Sequence, residues 1–466
     1  MKRLSLFPLL ALFAPLVHAD DAVKLVDARK VADIGSRREL FVDDYLIDRL
    51  KGAELKMHKP AAQEVALVCD APWEGNTSNY FKFFADEARF RIYYRGSHYD
   101  ENKKPVHPEF TCYAESKDGL SWEKPKLGLF EFGGSKDNNI VWSGKGSHNF
   151  TPFKDANPKS PPEARYKALT RGQGGLNALQ SADGIRWSLM GKGYVITDGA
   201  FDSQNLAFWD AERGEYRAYW RYFTEPKLLR AIRTATSRDF LRWENQADLT
   251  YGDAPSEQLY TNAIEPYFRA PHLFVGFPTR FLWRHQQVEP LLMTSRDGVQ
   301  FKRWPEPLIP ITAPKDRDGN RSNYMTSGLL QLPGKPNELS VYATEAYYTG
   351  PGTRVRRFTF RTDGFVSVHA GNGGGELVTK PVRFAGKELT INFASDVKGN
   401  VRVEIQDAAG KAIPGFALAD CKIMAGDAIE QKVRWTNGSD VSSLAGQTVR
   451  LRFELRDADL YAFQVK

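Results

Sequence analysis

The sequence predicts an all-β chain, a five-bladed β-propeller followed by a C-terminal β-sandwich. Two observations carry that expectation. The first is a recurring phrase, Ser-x-Asp-Gly-x-x-Trp, complete at Ser116 to Trp122 and at Ser181 to Trp187. Ser237 to Trp243 keeps Ser, Asp239 and Trp but has Phe240 for Gly; Ser295 to Phe301 keeps Ser, Asp297 and Gly298. A degenerate fifth copy keeps Asp363-Gly364, and the Asp residues stand 65, 56, 58 and 66 positions apart. A repeat of that length with strand-like content marks a propeller. The second observation is Gly371-Asn372-Gly373-Gly374-Gly375, after which short alternating segments succeed one another. That pattern reads as a linker and a sandwich.

Residues 1–19 have a basic start (Lys2, Arg3), an apolar stretch and a small-residue cleavage site at Ala19. They read as a secretory leader, which implies an exported chain, periplasmic or extracellular, with no membrane anchor. Residues 20–72 form an N-terminal segment. Within it, Glu39 to Ile47 alternates like a strand, and we read it as the strand that closes the propeller. Residues 73–370 hold the five repeats. Each opens with a polar segment, continues into an aromatic strand and ends in the Asp-Gly hairpin. Residues 371–375 are the linker and 376–466 the sandwich.

Composition narrows the function. The formal charge is +7, and the leader supplies two of those charges through Lys2 and Arg3. Without a Lys/Arg block, this argues against a nucleic-acid partner. Three cysteines, Cys69, Cys112 and Cys421, make no disulfide scaffold. Pairing of Cys69 with Cys112 and separate buried thiols both remain open. No His or Cys spacing suits a metal, and no cofactor is expected. The oligomeric state is not legible.

The repeated Asp residues 118, 183, 239, 297 and 363 suit turns, where Asp and Ser accept backbone N–H groups and Gly takes positive φ. A single active site needs each residue once, so they are set aside. Candidates lie instead at blade openings: Asn76, Asn149, Asp202, Gln204, Asn262 and Glu265. A second set ends the second strands, Arg95, Arg171, Arg221 and Arg280, with Glu345 breaking the pattern. Hydrolysis of a glycosidic bond needs two carboxyl groups. Asp202 and Glu345 are the expected pair, with Glu265 in reserve beside Glu74. Asn76, Asn149, Gln204 and Asn262 would meet sugar hydroxyls, and the arginines would orient a neutral or anionic saccharide or hold the acids ionised. Asp155 precedes a Pro-rich connection and suits a turn.

The Ser-x-Asp-Gly-x-x-Trp hairpins, the Tyr93-Tyr94-Arg95 strand end and the five-fold count resemble the propeller glycoside hydrolases of families 32, 43, 62 and 68. The mannoside phosphorylases of family 130 are nearby. The resemblance implies a glycosidase acting in the propeller funnel. The chain departs from family 32 in its motifs. Trp73-Glu74-Gly75-Asn76-Thr77-Ser78 stands where that family has Trp-Met-Asn-Asp-Pro-Asn, and Asp202 stands where it carries its acid Glu. Two rivals therefore remain: a carbohydrate-binding propeller without catalysis, and a protein-interaction propeller with an apolar rim.

Overall fold

The computed structural model describes residues 31–311 and 323–466, and the expected leader lies outside them. These residues form an all-β structure with a propeller of five blades. Blade one comprises Asn79–Asp86, Arg89–Gly96, Phe110–Ser116 and Ile140–Ser143. Blade two comprises Thr151–Lys154, Tyr166–Arg171, Leu176–Ser181 and Ser188–Leu189. Blade three comprises Leu206–Asp210, Glu215–Phe223, Arg230–Ser237 and Trp243–Asp248. Blade four comprises Ile264–Tyr267, Ala270–Gly276, Met293–Ser295 and Phe301–Arg303. A two-stranded hairpin, Thr279–Leu282 with Gln287–Pro290, is inserted between its second and third strands. Blade five pairs Glu338–Glu345 with Arg354–Arg361, and that strand with Ala61–Val68.

The recurring phrase is a turn that also joins blades. In all four copies the Asp Oδ1 accepts backbone N–H bonds from the residues two and three positions on, each at 2.8 Å. The Ser hydroxyl accepts the N–H of the Gly position. The carbonyl of that Gly then accepts a tyrosine hydroxyl from the preceding blade. Tyr93 reaches Gly184 at 2.7 Å, Tyr219 reaches Gly298 at 2.8 Å, and Tyr342 reaches Gly119 at 3.2 Å. Blade two has Leu169 in place of that tyrosine. There the next turn carries Phe240, at φ +69°, which packs in one apolar cluster with Leu169. The exception in the phrase thus answers an exception in its partner: an aromatic fills the space a tyrosine would have used.

Two expectations need correction. Glu39 to Ile47 does not close the propeller. Glu39–Leu40 pairs instead with Phe463 and Ala462, and Ile47–Lys51 pairs with Gly375–Thr379. Closure falls to Ala61–Val68, in the same N-terminal segment. The glycines at 371–375 are not an interdomain joint. They turn Val366–Ala370 into Gly375–Thr379, and both strands belong to one ten-stranded sheet. That sheet takes four strands from the N-terminal segment and six from residues 366–465. The short alternating segments expected after the glycines are in part long strands: Leu389–Asp407 and Val449–Val465 each run unbroken. Irregularities in the pairing of these two strands bend them without ending them.

Asp363, in the degenerate fifth copy, is not an Asp-Ser turn. It is fully buried where propeller and sheet meet. Tyr267 Oη and Arg269 Nε donate to one oxygen at 2.5 and 2.9 Å, and Arg38 Nη1 to the other at 3.1 Å. The next residue, Glu39, reaches blade four: Arg296 Nη1 lies at 2.9 Å and His272 Nε2 at 3.4 Å. Cys69, Cys112 and Cys421 are buried free thiols.

Removing the carboxylate by Asp363→Ala takes the acceptor from Tyr267, Arg269 and Arg38 at once and leaves Glu430 as the carboxylate beside the two arginines. It should cost about 3–5 kcal/mol of stability, seen as a lower denaturation midpoint. Glu39 gives a pH signature. Burial would raise its carboxyl, but His272, Arg296 and Arg37 hold it down at about 2. Its contribution, roughly 3 kcal/mol, is present above its unfolded value near 4.5 and lost as pH falls towards 2. The stability gap between the native chain and Glu39→Gln should therefore narrow steadily from pH 5 to pH 2.5.

Candidate functional site

The centre of the propeller is crossed by side chains. Gln204 Nε2, from blade three, donates to the carbonyls of Tyr80 and Phe81 in blade one at 3.2 and 3.1 Å. Asn262 Nδ2 reaches the carbonyls of Gln204 and Tyr219 at 3.3 and 3.4 Å. Asn149 joins blade two to blade three through the carbonyls of Phe201 and Ser203. Deeper in, Lys82 lies 3.2 Å from Glu265 and 3.1 Å from Ser327, which brings blades one, four and five together. The amides of Asn149, Gln204 and Asn262 are buried and bonded to backbone, so they fix blade positions. Asn76 Nδ2 and Oδ1 both bond the backbone of Tyr99, at the edge of an open groove.

Above this plug lies the mouth. Its walls are tyrosines in edge contact: Tyr260 with Tyr324 at 5.8 Å, Tyr324 with Tyr347 at 5.7 Å and Tyr347 with Tyr348 at 4.5 Å. Tyr80 joins them from blade one, its hydroxyl on the carbonyl of Asp202 at 3.1 Å. A cavity of about 220 Å³ lies among Arg230, Tyr260, Tyr324, Tyr347 and Tyr348. It shares Tyr347, Tyr348 and Gln286 with a groove of about 1020 Å³ between the 98–103 loop and the blade-four hairpin. Tyr80, Ala263, Ala346 and Tyr348 all have positive φ, at 56°, 43°, 57° and 60°. Strained backbone of this kind gathers where a fold serves a site.

Arg95 is buried beneath the mouth. It donates to the Thr77 carbonyl at 2.7 Å and to Tyr347 Oη at 3.0 Å, and lies 4.9 Å over the Tyr80 ring. His148 Nδ1 stands 3.0 Å from both oxygens of Glu109, with Arg95 alongside. Burial and Arg95 push His148 below its usual range. Burial would raise Glu109, but its bond to His148 and the charge of Arg95 hold it low. Asp202 is half exposed and pairs with Arg221. Arg171 is exposed, and its charge reaches Glu109 and His148.

The remaining sequence candidates fall elsewhere. Glu345 is fully buried and pairs with Arg354 at 2.8 Å and Arg356 at 2.7 Å on the next strand of blade five. It is not among the residues lining the cavity or the groove. Arg280 belongs to the inserted hairpin, where Glu289 and Glu257 each pair with it at 2.7 Å. Its place at the mouth is taken by Arg230, from the third strand of blade three. Glu74 is buried against Lys124 and Tyr94, and Asp155 against Lys167 and Tyr216. Tyr80, Tyr260 and Tyr324 were not among the expected site residues; Tyr260 stands two positions before Asn262, at the same blade opening.

No protein-family model matches the chain, and no curated protein does. Among solved structures the chain is similar to a glycoside hydrolase family 43 arabinoxylan arabinofuranohydrolase from Bacillus subtilis. The identity is 13%, over 84% of this chain and 96% of that one, with a TM-score of 0.41. It is also similar to the β-1,2-mannobiose phosphorylase of Listeria innocua, at 12% identity over 66% and 97% with a TM-score of 0.46. The Bombyx mori GH32 β-fructofuranosidase is 10% identical over 88% and 94%, with a TM-score of 0.40.

Glu345→Gln should therefore act first on stability. Leaving Arg354 and Arg356 around a neutral amide should cost about 3–5 kcal/mol, while Asp202→Asn, half exposed against a buried Arg221 and still able to accept a hydrogen bond, should cost less, about 1–2 kcal/mol. Parallel urea titrations of the two variants check this.

Proposed function

We propose that this chain is an exported saccharide-binding propeller whose sugar lies at the tyrosine-lined mouth, with a longer saccharide running into the groove. The observation that carries the reading is the continuous belt of Tyr260, Tyr324, Tyr347 and Tyr348 around a cavity open to that groove. Tyrosine offers an apolar face to the C–H side of a sugar ring and a hydroxyl to its polar edge. The resemblance of the hairpin repeat to propeller glycoside hydrolases supports the same ligand class. Binding stands ahead of cleavage because each candidate acid is matched by a cation: Asp202 by Arg221, Glu345 by two arginines, Glu265 by Lys82 and Glu109 by Arg95. A general acid needs a raised pKa, and Glu109 is held low.

Hydrolysis of a glycosidic bond is the second reading. It is favoured by the half exposure of Asp202 at the mouth and by the position of Glu265 in the channel below. In that reading Asp202 and Glu265 work together, with Glu345 as a structural acid.

The test is a panel of neutral and acidic oligosaccharides, read by calorimetry for binding and by released reducing ends for cleavage. Binding without release, weakened roughly 10-fold by Tyr348→Ala, is the expected result. Release that Asp202→Asn abolishes would establish the second reading. No binding of any saccharide would remove both.

A further inference from the structure

The mouth carries charge that sugar hydroxyls alone do not explain. Arg221 and Arg230, from adjacent strands of blade three, lie over the same two rings. Their guanidinium carbons are 5.0 and 5.5 Å from the centre of Tyr260, and 5.3 and 5.5 Å from that of Phe223. Two like charges so placed repel one another. Burial, with Arg230 contributing, pushes Arg221 below the usual arginine range. Nε and Nη1 of Arg221 and Nε of Arg230 are buried without a hydrogen-bond partner. Donors withdrawn from water and left unpaired are destabilising.

The existing compensation is partial, and the Tyr260 hydroxyl belongs to it on the Arg221 side. Asp202 meets Arg221 through Nη2 alone, and its side chain is 49% exposed. Gln258 Oε1 accepts from Arg230 Nη1 at 3.1 Å. Arg171 is exposed, and its guanidinium has no hydrogen bond or ion pair among the described residues. Arg230 lines the cavity, Arg221 lies over the ring of Tyr260 in its wall, and Arg95 bonds Tyr347 from beneath. A planar guanidinium pair backed by aromatic rings suits a group that accepts several hydrogen bonds at once and carries negative charge.

Resting on the saccharide reading, we propose that the mouth takes an acidic sugar. Its carboxylate or sulfate ester lies against Arg221 and Arg230 and displaces Asp202 from Arg221. In the free protein Asp202 is a stand-in for the ligand's anion. It holds the guanidinium in place and leaves as the stronger, better-seated acceptor arrives.

The experiment is calorimetry of the full chain against matched pairs: tetragalacturonate with its full methyl ester, and a κ-carrageenan tetrasaccharide with its desulfated, neutral form. Cellotetraose serves as the neutral reference. The carboxylate and sulfate arms separate the two sources of charge. At least one charged member should bind about 10-fold or more tightly than its uncharged partner, and the gap should shrink as salt is raised. Arg230→Gln should remove the preference, with the circular dichroism spectrum unchanged. Arg171→Gln, on an exposed side chain, should reduce it several-fold without touching the fold. Asp202→Asn should tighten binding of the charged member, because the competing carboxylate is gone; a purely catalytic Asp202 would give no such gain. Equal affinity within both pairs would overturn the anion proposal and leave the saccharide reading standing. Weaker charged binding in Asp202→Asn would overturn the displacement. No binding by any of the five compounds would overturn the saccharide reading along with it.

Discussion

The rest of this structure depends on closing the ring. A propeller blade with an open edge exposes unpaired backbone N–H and C=O groups. Here blade five obtains its outer strand from the far end of the chain: Ala61–Val68 lies against Arg354–Thr359 with two irregularities in register. Side chains secure the pairing. Arg357 donates to both oxygens of Glu64 at 2.5 and 3.2 Å, and Arg356 donates to the Gln63 carbonyl at 2.6 Å. Residues just upstream are woven into the ten-stranded sheet, so the closing strand is held at both ends. Propeller and sheet are joined by the chain at this point, and Asp363 and Glu39 bond across the junction. Closure also sets blade five beside blade one, which is what lets Tyr347 reach Arg95.

Much of the propeller was legible because its information is local and periodic. The Asp-Gly turn needs its residues within a few positions, and the tyrosine that meets it recurs with the same period. Even the irregular copy is consistent, since Phe240 follows a blade that has Leu169. The pairing of Glu39–Leu40 with Phe463 and Ala462 was not legible. It joins residues more than four hundred positions apart, and two-residue alternation looks the same whichever sheet receives it. The glycines at 371–375 misled for a related reason. Turn geometry and linker flexibility call for the same residue, and only the strands on either side show which is at work.

The site was legible in part. Arg95, Arg221 and Asp202 come together because repeat register does place equivalent residues around one axis. Arg280 does not join them, since the hairpin at 279–290 interrupts blade four at that point and carries the arginine outward. Glu345 breaks the arginine pattern for a structural reason, as the counter-ion of two arginines on the neighbouring strand. The tyrosines went unread because an aromatic in a strand is usually core. At Tyr260 and Tyr324 the same residue type instead lines the cavity at the mouth, with Tyr80 packed behind it.

The electrostatics of the mouth follow from where its charges are buried. An acid destined to give up a proton at neutral pH must sit where its charged form is disfavoured, in apolar surroundings or beside another carboxylate. Glu109 has burial of that sort, but His148 and Arg95 outweigh it. Asp202 has a guanidinium directly against it. The least comfortable charges here are cations: Arg221 and Arg230 are crowded over the same rings with donor nitrogens unmet. Strained φ values at Tyr80, Ala263, Ala346 and Tyr348 add to the same picture. The donors left unmet at Arg221 and Arg230 are complementary to an acceptor, whereas the amide acceptors left unmet, Asn205 Oδ1 and Asn262 Oδ1, belong to side chains that bond the backbone at the blade openings. It is this asymmetry, more than any pair of acids, that the fold has been arranged to hold.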